Sequence, residues 1–250
     1  MIRQISVILG KEWGDIKSSF FSYQNLMAGI WPIFVFCFAF GVYEPLKLGP
    51  DWFQSSMMMF SISVLIPFIA IGFISPYSFV GERMRGTLEP FLATPVSDQA
   101  ILFGKIGIAV LYGLGVSLVN MFLGMVLINI FHANGRFLFY PLYIMVPTVL
   151  LSLFFSILVA TIGISSSYYA KTILDAQRNL VMTIFIPILL PAFFLGPFSP
   201  AAWKGILVQI ATQLGTPHLL LILLLLLFVV DGIFILIALT RFHRKLLILV

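Results

Sequence analysis

The sequence predicts an all-α membrane protein with six transmembrane helices, and three observations lead there. The chain of 250 residues is 61% hydrophobic and 9% charged, whereas soluble proteins carry about 25% charged residues. Six stretches are apolar over the length a bilayer-crossing helix needs, about 20 residues. They lie near Leu26–Tyr43, Met57–Val80, Ile106–Phe131, Tyr140–Tyr168, Leu180–Pro197 and Leu219–Thr240. The basic residues also sort by side. With the N-terminus inside, Arg3, Lys11, Lys17, Arg83, Arg85, Lys105, Lys171, Arg178, Arg241, Arg244 and Lys245 are cytoplasmic, leaving Lys47, Arg136 and Lys204 outside. This positive-inside bias predicts that both termini are cytoplasmic. The net charge of +5 thus reports orientation and contact with anionic membrane lipid, and implies no nucleic acid. The polar N-terminus has no signal-peptide pattern. The single cysteine, Cys37, argues against a disulfide framework or a cysteine metal site.

Residues 1–22 precede a membrane domain that occupies 23–250. Ile2, Ile5, Leu9, Trp13, Ile16 and Phe20 recur at steps of three and four, with Arg3, Lys11, Asp15 and Lys17 mostly off that stripe. The pattern predicts an amphipathic helix in the plane of the inner leaflet, with Trp13 at headgroup depth. Tyr43–Ser56 contains Pro45, Gly49 and Pro50 and reads as a turn-rich outer connector, its Trp52 at the membrane–water interface. In the second span, Pro67 and Pro76 free backbone groups and offer places to bend.

Between the second and third spans lies Gly81–Lys105, GERMRGTLEPFLATPVSDQAILFGK, with Glu82, Arg83, Arg85, Glu89, Asp98 and Lys105 among its residues. Gly86 should end the preceding helix. Thr87 suits an N-cap, and Leu88-Glu89-Pro90 a first turn. Leu88, Phe91 and Leu92 then share a face. Pro95 disfavours helix at Thr94. Ser97 can cap a second helix that opens at Asp98 and runs into the third span. From its residues alone, the short helix suits either lipid headgroups or a soluble partner.

Within this loop, Gly81 to Arg83, Arg85 to Glu89, Leu92 to Ser97, Ile101, Leu102, Gly104 and Lys105 together resemble the signature of the type-2 ABC exporter permeases. The resemblance implies that Thr87–Ala93 is a coupling helix docked on a separate ATPase subunit, which binds ATP and Mg. Phe91, with Leu88 and Leu92, would be its apolar knob. Glu82 and Arg83 would hold the loop, and Glu89 would make a polar contact. The N-terminal helix, through Trp13 and Lys17, would be an elbow helix that also touches the ATPase. The chain itself would be a permease without an ATPase site, one half of a homo- or heterodimer in a prokaryotic plasma membrane.

In the third span, Gly104, Gly107, Ala109, Gly113, Gly115 and Gly124 form a small-residue ridge; Ser152, Ser156 and Ala160 form one in the fourth. Such ridges let membrane helices approach closely, here either each other or a second protomer. Asn120 and Asn129 suit interhelical hydrogen bonds, or, for Asn120, the translocation path. Ser165–Gln177 reads as a solvated inner turn. Pro187 and Pro191 break the fifth span. Trp203, Ile206, Leu207, Ile210 and Leu214 within Phe198–Pro217 share a helical face on the outer leaflet, where the resembled family has re-entrant gate helices.

Asp231 interrupts an otherwise aliphatic last span, where a carboxylate costs about 3 kcal/mol on insertion scales. Three readings stay open: a position near the inner headgroups, a place on the translocation path, and proton transfer. The last would suit a proton- or ion-coupled secondary transporter, the alternative to an exporter. No Walker A motif occurs, and His132, His218 and His243 sit at span ends, so neither a P-loop ATPase nor an intramembrane enzyme is expected. Many Phe residues and few internal charges suit a hydrophobic or amphipathic cargo: a drug, lipid or peptide.

Overall fold

Apolar runs become long helices in a membrane because each helix satisfies its own backbone polar groups. The computed structural model describes residues 2–20, 31–133, 135–184, 186 and 216–242. Among these, five helices are long and apolar enough to cross a membrane. They are a first span Trp31–Gln54, a second Met57–Met84, a third Asp98–Phe131, a fourth Leu142–Tyr169 and a last span Leu220–Arg241. An N-terminal helix Ile2–Phe20, a loop helix Leu88–Leu92 and a helix Ile173–Ile184 accompany them, and no strand occurs among the described residues. Of the expected fifth span Leu180–Pro197, the helix Ile173–Ile184 supplies the start. Pro187, Pro191 and the expected outer helix, up to residue 215, lie outside the described residues.

The stretch Tyr43–Ser56 is not a turn-rich connector. Glu44–Leu48 continues as α-helix and Gly49–Gln54 as a 3-10 helix. Pro45 and Pro50 each sit at the start of a new helical segment, a position proline favours because its φ is already set. Trp52 is likewise not at an interface: it is fully buried, beside Phe53, which meets the Tyr140 ring edge-on at 4.5 Å. Gly124 makes room, since a Cβ there would lie 3.3 Å from both Pro45 and the Tyr140 hydroxyl.

Two π turns, Ala39–Tyr43 and Ser61–Leu65, each end two residues before a proline. Pro45 and Pro67 cannot donate to the carbonyl four residues earlier, and their rings crowd it. Those carbonyls belong to Gly41 and Ser63, both inside the π turns, whose wider register relieves the clash. At Ser75–Pro76 the second span is interrupted between Ile66–Ile74 and Tyr77–Met84, with both residues still in helical backbone geometry. The inner turn shrinks to residues 170–172, because the fourth span runs to Tyr169 and the next helix starts at Ile173. Thr172 opens that helix: its hydroxyl accepts from the Asp175 N–H at 3.1 Å.

The small-residue ridges of the third and fourth spans meet inside this chain. A Cβ on Gly113 would fall 2.4 Å from Ile71 Cδ1 and 3.3 Å from Ser156 Oγ. At Gly163 a Cβ would lie 2.0 Å from Ser75 Oγ and 2.6 Å from Ser75 Cβ. The second obstacle is stiff, because Ser75 Cβ moves only with its backbone. Gly163→Ala should therefore destabilise the protein by about 1–3 kcal/mol, the usual cost of overpacking, read as a lower melting temperature in detergent. Adding Ser75→Gly should restore most of it. A Gly163→Ala protein as stable as wild type would mean that the two spans do not meet at this point.

Candidate functional site

At the basic end of the bundle, four charged side chains converge from three elements. Lys105 is in the second turn of the third span and 1% exposed. Its ammonium donates to Glu12 Oε1 at 2.6 Å, to the Ser78 carbonyl at 2.9 Å and to Glu82 Oε1 at 3.3 Å. All three of its N–H groups thus have acceptors. Lys11 also donates to Glu82, so two lysines face two glutamates. Burying such charges is costly unless each is paired and hydrogen-bonded, and here the balance is two against two.

Glycines bring Glu12 to this place. A Cβ on Gly104 would lie 2.7 Å from Ile8 Cγ2, and one on Gly107 would lie 3.5 Å from Leu9. Ser97 Oγ reaches Gln4 Oε1 at 3.3 Å. The N-terminal helix therefore packs along the start of the third span. Its buried face runs through Ile8 and Glu12, while Trp13 is 56% exposed. The face that packs on the third span is thus a different one from the stripe through Trp13, which stays open on the outside of the bundle. The Lys17 side chain lies outside the described residues.

The loop is tied at both ends. Arg83 donates to the Ala170 carbonyl at 2.8 Å and the Tyr168 carbonyl at 3.1 Å. It thereby closes the C-terminus of the fourth span, where carbonyls lack helical partners and a cation is favoured. Gly86 turns the chain with φ +68°, a conformation glycine adopts freely. Thr87 is not a side-chain cap. Its backbone is helical, at φ −96° and ψ −6°, where a cap needs extended geometry. Its hydroxyl donates instead to the Glu82 carbonyl at 3.3 Å. Ser97 does cap the third span, accepting from the Ala100 N–H at 3.3 Å.

Leu88, Phe91 and Leu92 share a face, as expected, and that face turns into the protein. Leu88 and Leu92 are buried in the main core, and Phe91 packs at its edge. The Lys11 ammonium sits 3.8 Å above the Phe91 ring, and that of Lys105 is 5.3 Å from it, within cation–π range. Glu89 and Pro90 face outward. The loop helix is thus joined to the N-terminal helix and both flanking spans by one buried cluster. Sequence reasoning gave Glu12 and Lys11 no part in it. The available signal was two charges of each sign at one end of a chain otherwise poor in them.

The remaining candidates lie apart from this cluster. Asn120 donates to the Cys37 carbonyl at 3.0 Å, joining the third span to the first. Asn129 binds both the N–H and the carbonyl of Leu138 and so fastens the outer loop. Asp231 is 4% exposed, and neither carboxyl oxygen has a hydrogen-bond partner among the described residues. No group of three or more His, Cys, Asp or Glu that could hold a metal ion occurs among those residues.

Residues 12–186 match a family model described as ABC-2 family transporter protein. That range includes Glu12, the loop and Lys105, and excludes Asp231 and the last span. A search of curated proteins gave no match.

Proposed function

Since the chain belongs to the ABC-2 family of transporter membrane proteins, we propose that it is the permease subunit of an ABC exporter, driven by a separate ATPase subunit on its cytoplasmic face. The ATPase binds ATP and Mg, and this chain supplies the path. Two permease chains, identical or different, complete the membrane part. The cargo is hydrophobic or amphipathic, in keeping with spans that are rich in Phe and poor in charge.

The observation that carries this reading is the attachment of the loop helix. Leu88–Leu92 has too few turns to be stable alone, yet its apolar face is packed in the core, and the span end just before it is bonded through Arg83 to the fourth span and through Glu82 to Lys105 of the third. Force applied to its outer side reaches those spans without first deforming the loop. Glu82 and Arg83 hold the loop, Leu88 and Leu92 join it to the spans, and Thr87, Glu89 and the edge of Phe91 meet the ATPase. Closure of the ATPase dimer on ATP pushes this unit, and the interruption at Ser75–Pro76 lets the lower second span pivot.

Glu89→Arg tests the docking side. The residue is exposed, so the variant folds, while reversing an interface charge should reduce ATPase recovered with the tagged chain roughly tenfold or more. Phe91→Asp is a poorer choice, because Lys11 and Lys105 would accept the new carboxylate. Equal recovery from Glu89→Arg would move the docking surface elsewhere. A stable wild-type chain that purifies alone, with its genomic neighbours co-expressed, would overturn the reading.

A further inference from the structure

Leu220, Leu224, Leu227, Phe234 and Ala238 of the last span belong to or pack against the main core. Their spacing of three and four leaves one gap, and Asp231 fills it. The carboxyl therefore occupies a packing position, as its 4% exposure also shows. Two ring contacts fix what it faces. Phe228 meets Phe154 at 6.0 Å, and Phe242 meets Tyr168 at 5.5 Å. The two pairs have the same sequence offset, so the last span runs parallel to the fourth, and Asp231 lies at the height of Ile157 and Leu158.

Among the described residues, no charged partner faces it there. The titratable side chains of the fourth span are Tyr143 at its outer end and Tyr168 and Tyr169 at its inner end, about three to four helical turns away. Glu82 and Lys105, beside Phe79, are at the inner end too and are already paired. Neither oxygen of Asp231 has a hydrogen-bond partner among the described residues. An ionised carboxylate in such a seam would bear its full desolvation cost without compensation.

We propose that Asp231 is a proton-binding site of the transport cycle. In the packed arrangement the carboxyl carries a proton. When the last span moves away from the fourth, water enters, the O–H bond breaks, the proton passes to water and the carboxylate remains. Reclosure takes one proton back. The proton-binding half stands on packing alone; the exchange half rests on the transporter reading given above.

Two measurements decide it. Infrared difference spectra of the full chain in lipid nanodiscs, wild type minus Asp231→Asn at neutral pH, should show the carbonyl band of a protonated carboxylic acid. A difference containing only carboxylate bands would overturn the proposal. Next, the complex with its ATPase is trapped with ATP and vanadate in weak buffer containing a pH dye. Wild type should release a proton that Asp231→Asn does not, while both variants melt at the same temperature. Equal release from both would overturn the exchange. If no ATPase accompanies the chain, the transporter reading fails and the exchange half falls with it, while the infrared band still decides whether Asp231 holds a proton.

Discussion

Lys105→Met should destabilise the purified chain by about 3–5 kcal/mol, the usual cost of removing one partner from a buried ion pair. The ammonium is 1% exposed and serves Glu12, Glu82 and the Ser78 carbonyl. Without it, two carboxylates crowd each other, and only Lys11, itself 36% exposed, is left to balance them. The loss should show as a lower melting temperature in detergent, with the N-terminal helix released to proteolysis first, since Glu12 is its buried polar anchor. Methionine keeps the length of the side chain, so packing changes little and the effect reports charge. Adding Glu12→Gln should then cost less than it does in wild type, because it removes a charge that has become unpaired. Such non-additivity is expected of directly coupled groups. A Lys105→Met protein within about 0.5 kcal/mol of wild type, the range typical of surface changes, would show that the cluster does not form.

Much of this fold could be read from the sequence where one physical rule acts alone. The second, third and fourth spans came from apolar length, and the entry to the third from Ser97 and Asp98, a cap followed by a favourable charge. Those signals are local. The failures share a different character. Tryptophan favours an interface, but the burial of Trp52 depends on Gly124 and Tyr140, distant in sequence. Proline is usually a breaker, whereas in the outer stretch Pro45 and Pro50 each begin a helical segment. The buried pairing of Glu12 with Lys105 links residues 93 apart in sequence, and no periodicity in either segment encodes it. Hydropathy also could not say which way the loop helix turns, since a helix with one apolar face suits a partner, a bilayer or its own core equally.

That orientation is open to a decisive test. Leu92 is 5% exposed and Leu88 4%, and both belong to the same core as Ile101 and Leu158. Truncating a buried leucine removes its transfer free energy and leaves a cavity, together costing about 2–5 kcal/mol. Leu92→Ala should therefore lower the stability of the permease measured alone, with no ATPase present. If the leucines instead formed a knob seated in the ATPase, Leu92→Ala would leave the isolated chain unchanged and weaken only the complex. Glu89→Arg serves as the converse, weakening the complex while sparing the isolated chain. Thermal unfolding of the two variants, each with and without the ATPase, separates the residues that tie the loop to the spans from those that receive the push. The distinction matters for mechanism. On the proposed reading, a loop helix whose apolar face is packed inward would transmit movement as part of the permease body, leaving the conformational change to the interruption at Ser75–Pro76 and the seams between spans rather than to the loop itself.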